Sequence, residues 1–103
     1  MFKPMDEAHL KDLYEAFAVL RSAEEIAMFM QDLCTPQELF EIAQRYQIAK
    51  LLSEDCRYAE IVEKTGTSTA TISRVNRSLS MVSSGGYAIV FDRLKKEQGD
   101  SAE

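Results

Sequence analysis

The sequence is poor in the residues that build metal centres and catalytic sites. Its 103 residues include two cysteines, one histidine and no tryptophan. Cys34 and Cys56 form no CxxC pair, and a single histidine does not complete a zinc ligand set with them, so neither a zinc site nor a disulfide framework is indicated. There is no glycine-rich phosphate loop and no set of nucleophile, base and metal ligands. We therefore expect no metal, no cofactor and no enzymatic activity.

Long apolar segments are also lacking. No apolar run approaches the roughly 18 residues that a membrane helix needs, and residues 1–11 are too polar for a secretion signal. The sequence therefore predicts a cytoplasmic protein that does not associate with membranes.

The most informative absence is that of carboxylates between Lys64 and Phe91. At the chain's average frequency of 17 acidic residues in 103, these 28 residues would hold about five, and they hold none. The formal net charge is −5, divided into −6 for residues 1–55 and +1 for residues 56–103. This asymmetry predicts that the two halves have different tasks.

The apolar pattern predicts a single, all-α domain of six helices. An apolar fraction of 46% and a charged fraction of 28% are ordinary for a folded domain. Capping boxes start the second and third helices at Ser22 and Thr35, the latter with Pro36 at the first helical position. A chain of this length buries a modest core and gains from a partner, so a dimer is expected. The helices are predicted over about 6–21, 22–33, 35–53, 58–65, 68–79 and 84–97.

The fourth and fifth predicted helices have the spacing of a helix-turn-helix. Gly66 permits a sharp turn without a Cβ penalty. Ile61 lies five residues before it, and Ile72 and Val75 lie six and nine after it, where they are expected to lock the two helices together.

The faces left open on the fifth helix favour DNA recognition. Small residues in the first turn let the backbone approach a major groove, arginine suits guanine, asparagine suits adenine, and carboxylates would face phosphates. The alternative is that the Ser/Thr-rich stretch is only a capped, soluble helix start. The predicted DNA-binding residues are Arg57, Lys64, Ser68, Thr69, Ala70, Thr71, Ser73, Arg74, Asn76 and Arg77.

Two segments resemble a known family. The sequences "STATISRVNRSL" (residues 68–79) and "LCTPQELFEIAQR" (residues 33–45) resemble the Trp repressor superfamily, and are most similar to its small Trp-repressor-related (YerC/YecD) branch; the match covers about residues 32–79. The resemblance implies an intertwined homodimer, with a dimerisation core from residues 1–55 and 84–97 and a DNA-binding head from residues 57–80. Two heads would then lie about one DNA turn, roughly 34 Å, apart on a symmetric double-stranded DNA operator.

The resemblance also implies an effector pocket. Arg45 and Arg74 match the arginines that flank the indole in the Trp repressor, Thr35 and Thr71 match pocket threonines, and Ser78 matches a serine near the ligand amine. Val75 stands where that protein has glycine. Overpacking costs about 1 to 3 kcal/mol, so we expect Val75 to fill the pocket and tryptophan not to bind.

Two alternatives stay open. Arg45 and Arg74 could instead form salt bridges with Glu41 or Glu38. The leading functional hypothesis is a sequence-specific DNA-binding transcriptional regulator, expected to be a repressor, whose head binds DNA without tryptophan. Its rival is a helical protein-interaction or dimerisation module without DNA affinity. Whether any other small-molecule effector binds does not follow from the sequence.

Overall fold

The chain folds into α-helices joined by short turns. The computed structural model describes residues 6–80 and 84–102, with side chains to residue 98. Within these ranges there are six helices and no strand, which confirms the all-α prediction and the helix order. Residues 1–5, 81–83 and 103 of the predicted domain lie outside the described residues. The helices are α1 Glu7–Ala18, α2 Ala23–Leu33, α3 Pro36–Ser53, α4 Tyr58–Thr65, α5 Thr69–Ser80 and α6 Gly86–Ala102.

The helix starts follow from side-chain caps. The Glu25 amide donates to Ser22 Oγ at 3.1 Å, and the Glu25 carboxylate accepts from the Arg21 amide at 2.8 Å, one residue before the cap. α1 ends at Ala18 and does not reach the predicted Arg21, whose amide is bound by Glu25 next to the extended cap residue Ser22 (φ −153°, ψ 162°).

The start of α3 is a reciprocal capping box. The Glu38 amide donates to Thr35 Oγ1 at 3.1 Å, and the Thr35 amide donates to Glu38 Oε1 at 2.8 Å. The hydrogen bond from the Thr35 amide stabilises the ionised carboxylate and lowers the pKa of Glu38, and the contact with the Thr35 side chain acts in the same direction. Glu38 therefore supports the helix start while it is ionised.

The end of α3 fixes the direction of the chain toward α4. Asp55 takes the left-handed conformation with φ 63°. Its amide donates to the Leu52 carbonyl at 3.0 Å, and the Cys56 amide donates to the Leu51 carbonyl at 3.1 Å. This pair of bonds is a Schellman motif, which ends a helix sharply.

The chain divides into two compact units, one up to Leu39 and one from Phe40 onward. The predicted bounds of the dimerisation core, residues 1–55 and 84–97, and of the head, residues 57–80, stay predictions. In the first unit the rings of Phe17 and Phe29 meet edge to face at 5.1 Å, and neither α1 nor α2 contains a buried residue. The first unit thus carries apolar side chains that the single chain leaves exposed.

The second unit contains the buried core. Ile48, Ala49 and Leu51 of α3 pack with side chains of α4 and α5, and Tyr87 and Phe91 of α6 pack against this cluster. α3 is consequently the scaffold that holds α4, α5 and α6 in place.

Candidate nucleic-acid interface

α4, its turn and α5 form a compact helical pair. Gly66 ends α4 in the left-handed region with φ 73°, and its amide donates to the Val62 carbonyl at 2.8 Å. Ile61 and Ile72 are fully buried and Val75 is 6% exposed. The predicted apolar lock is confirmed, and the opposite side of α5 is left to solvent.

We call that opposite side the outer face of α5; it consists of Ala70, Ser73, Arg74 and Arg77. Residues 70, 74 and 77 recur at four and three residues, which places them on one side of a helix. All four are exposed. With no carboxylate between residues 64 and 91, the outer face carries two guanidinium groups and no acid of its own helix. A polyanion bound to this surface is therefore not repelled by any carboxylate of α5.

Most hydroxyl groups in this stretch serve the local backbone. Six of the eight between residues 65 and 80 take part in hydrogen bonds within the stretch or with α4; they are Thr65, Thr67, Ser68, Thr71, Ser78 and Ser80. The side-chain hydroxyls of Thr69 and Ser73 have no hydrogen-bond partner among the described residues, and both residues are exposed. The hydroxyl content is therefore explained largely by capping and turn formation, whereas the absence of acids is not.

The start of α5 combines a cap with small side chains. Ser68 Oγ accepts from the Thr71 amide at 3.3 Å and lies 3.1 Å from Thr71 Oγ1. Ser68, Thr69 and Ala70 are exposed, and Thr71 is half-buried. The N-terminal turn of a helix carries partial positive charge and unpaired N–H groups, so this turn favours a phosphate.

Arg57 and Lys64 flank the helical pair from the two ends of α4. Both are exposed. The Arg57 amide donates to Glu60 Oε1 at 3.2 Å, which fixes the start of α4 and leaves the guanidinium in solvent. Glu60 and Glu63 lie on the same helix and are also exposed. The positive surface therefore belongs to α5 and to these two cations, not to α4 as a whole.

Asn76 forms a side-chain hydrogen bond inside the helical pair. It is half-buried, and its side-chain amide donates to the phenol oxygen of Tyr58 at 3.2 Å. The group is thus turned toward α4, and its contact with an adenine stays a prediction. The sequence analysis missed this bond, because the partner lies 18 residues away.

A cavity of about 370 Å³ lies between α3, α5 and α6. Five of the six predicted pocket residues line it, together with three that the prediction missed, Glu41, Gln44 and Tyr87. Glu41 lies three residues before Gln44 and four before Arg45, so it shares a helix face with both, a signal that was present in the sequence. The predicted residues on its wall are Arg45, Thr71, Arg74, Val75 and Ser78.

Val75 lies on the wall of this cavity, where it is buried. Space remains beside it in this structure, and the expectation that it keeps tryptophan out stays a prediction. Thr35 lies in the first unit, where its hydroxyl caps α3. Glu38, one of the proposed salt-bridge partners, accepts the Thr35 amide, and Glu41 shares the cavity wall with both arginines.

Among the described residues no cluster of three or more His, Cys, Asp or Glu side chains is arranged to hold a metal ion. No helix in the described ranges is long and apolar enough to cross a membrane.

Comparisons with known proteins agree with this geometry. The family model for the Trp repressor protein matches residues 8–95. The chain is 39% identical over 93 residues to YerC of Bacillus subtilis strain 168, covering 90% of this chain and 88% of that protein. A crystal structure of a TrpR like protein from Eubacterium eligens superposes with a TM-score of 0.80 at 44% identity, covering 85% and 90% of the two chains. A crystal structure of a Staphylococcus aureus protein superposes with a TM-score of 0.81 at 40% identity, covering 87% and 89%. This chain belongs to the Trp repressor family.

Proposed function

We propose that this protein is a sequence-specific DNA-binding transcriptional regulator, a repressor that acts by occupying its operator. The observation that carries the proposal is the outer face of α5, which is exposed, contains two arginines and lies inside a 28-residue stretch without a carboxylate. A regulator has to share a compartment with the chromosome that carries its operator, so the same proposal places this protein in the cytoplasm.

The proposed docking places α5 in the major groove with its N-terminal turn toward the duplex. Ser68, Thr69 and Ala70 are small and exposed there, so the backbone approaches base edges and phosphates closely. Arg74 and Arg77 extend this contact along the helix. Arg57 and Lys64 bind the phosphate backbone on either side. The net charge of −5 does not oppose this arrangement, because charges farther away than a Debye length, about 8 Å at physiological salt, are largely screened.

A homodimer is the second part of the proposal. Among the described residues outside the α4–α5 pair, ten large apolar side chains expose between 42% and 73% of their surface. If each side chain has an area of about 150 Å² or more and exposes about half of it, the ten together expose on the order of 800 Å². This is about the area that each partner buries in a standard interface. They are Tyr14, Val19, Ile26, Met28, Leu33, Phe40, Ile42, Ile89, Val90 and Leu94.

The proposal includes DNA binding that does not depend on tryptophan. Six of the eight residues that line the cavity are polar or charged, and Val75 and Tyr87 are the two with apolar surface. Sites that hold aromatic ligands are lined predominantly by apolar side chains. The cavity suits a small polar molecule that offers negative charge to Arg45 and Arg74.

Binding measured as a function of salt tests the proposal. Preferred duplexes are first selected from random DNA with the full-length protein, and their affinity is then measured by fluorescence anisotropy from 50 to 200 mM salt. Three to four phosphate contacts per head predict a slope of log K against log salt of about −5 to −7 for a dimer. A protein-interaction module, which the exposed apolar side chains would also suit, shows no duplex binding at 50 mM salt. Sedimentation equilibrium measures the dimer separately.

A further inference from the structure

A side-chain hydrogen bond joins Tyr58 of α4 to Asn76 of α5. Tyr58 is the first residue of α4, and Asn76 lies in the second half of α5. The Asn76 side-chain amide donates to the phenol oxygen at 3.2 Å, and both residues are half-buried. The Tyr58 ring also packs against the buried core cluster. The phenol oxygen is thus held on a ring that is itself fixed.

This bond lies far from the turn, so its length strongly affects the angle between α4 and α5. Tyr58 lies seven residues before Thr65, the end of α4, and Asn76 lies seven residues after Thr69, the start of α5. At a rise of 1.5 Å per residue, each partner is about 10 Å along its helix from the turn. A displacement of about 1 Å there changes the interhelical angle by about 6°.

Apolar packing alone controls this angle weakly. Ile61, Ile72 and Val75 hold the helices together, but hydrophobic contact is not directional. A hydrogen bond weakens steeply when its length or its angle departs from the optimum. The Tyr58–Asn76 bond therefore adds a restraint of a kind that the apolar lock lacks.

We infer that Tyr58 and Asn76 are positioning residues for DNA recognition: their bond sets the angle at which the outer face of α5 is presented relative to Arg57 and Lys64. This inference rests on the proposed function. The phosphate contacts of α4 and the groove contacts of α5 have to fit one duplex at the same time, so the angle decides whether both sets form. Asn76 in this role reads no base.

Removing single groups separates positioning from base reading. Tyr58→Phe deletes the phenol oxygen and keeps the ring, which frees the Asn76 amide. Asn76→Ala deletes the amide. The positioning role predicts that each variant binds the selected duplex about 3- to 10-fold more weakly, as expected for the loss of one net hydrogen bond. It further predicts that the double variant is no weaker than the weaker single variant and that the selected base sequence is unchanged.

The matched control is Tyr46→Phe, which deletes a phenol oxygen from α3, keeps the ring that packs against Phe91 at 5.8 Å and should leave DNA binding unchanged. Urea unfolding of each variant confirms that binding is compared between folded proteins. If Tyr58→Phe binds as well as the wild type while Asn76→Ala relaxes the preference at one base position, Asn76 reads that base and the inference is overturned.

A measurement without DNA keeps this inference distinct from the proposed function. Residual dipolar couplings of the free protein report the angle between α4 and α5. The inference predicts a changed or broadened angle in both Tyr58→Phe and Asn76→Ala, and it is overturned by an angle equal to that of the wild type. A wild type that binds no selected duplex at 50 mM salt refutes the proposed function, and the angle measurement then decides by itself whether the bond positions α5.

Discussion

Replacing Arg77 by alanine tests the outer face of α5 most quantitatively. Arg77 is exposed and none of the described hydrogen bonds or ion pairs uses its guanidinium, so the substitution should alter the free energy of unfolding by less than about 0.5 kcal/mol. If Arg77 contacts phosphate as proposed, the proposed homodimer loses two phosphate contacts in this variant, one per subunit. Since each contact contributes about −0.9 to the slope of log K against log salt, the slope becomes less steep by about 1.8.

This change in slope makes the defect depend on salt. Between 50 and 200 mM salt, a difference of 1.8 in slope corresponds to about a 12-fold difference in relative affinity. The Arg77→Ala defect should therefore be about 12-fold larger at 50 mM than at 200 mM. Anisotropy titrations at four salt concentrations, on one selected duplex, measure both numbers.

The control for Arg77→Ala is an arginine substitution outside α5. Arg21→Ala removes the same charge from an exposed position between α1 and α2, outside the carboxylate-free stretch, and should change neither affinity nor slope. If Arg77 contacts guanine and not phosphate, one base position in each half-site relaxes instead. An Arg77→Ala variant with the affinity, slope and sequence preference of the wild type would refute the assignment of this face.

Three further predictions concern the core, the cavity and the cap of α3. Ile72→Ala removes a fully buried side chain and should lower the free energy of unfolding by about 2 to 5 kcal/mol, measured by urea denaturation; a loss below 1 kcal/mol would contradict the apolar lock. Calorimetric titration with L-tryptophan should show no binding, and a micromolar dissociation constant would contradict the account of the cavity. Because ionised Glu38 accepts the Thr35 amide and its pKa is lowered, its contribution to stability is present above the ordinary value of 4.5 and is lost as the pH falls through the lower folded pKa. The Thr35 amide shift should accordingly titrate with a midpoint below 4.5, and a midpoint at or above it would contradict the cap.

Local signals in the sequence were enough to predict the helices. Ser22 and Thr35 occupy the caps that their capping-box spacing indicates, and Gly66 has the left-handed conformation that ends α4. Ile72 and Val75 are buried as their spacing from Gly66 predicts. Each of these features depends on residues within a few positions of one another, where backbone geometry leaves few choices.

Features that join distant segments escaped the sequence analysis. The residue type of Asn76 suits adenine, but the sequence does not indicate that Tyr58, 18 residues away, accepts a hydrogen bond from its amide. Val75 is larger than glycine, but the volume of the cavity beside it depends on how α3, α5 and α6 are spaced. The exposed outer face of α5 lies in the stretch that its absence of carboxylates marks in the sequence, and its contact with DNA stays a prediction.

The central claim is that the side of α5 facing away from the core lies against duplex DNA. A titration of the ¹⁵N-labelled full-length protein with a selected duplex, followed by amide chemical shifts, tests it directly. The account predicts that the largest shifts fall on residues 68–77, with smaller shifts at Arg57 and Lys64 and none in α1. Shifts confined to α1 and α2, with residues 68–77 unchanged, would contradict it.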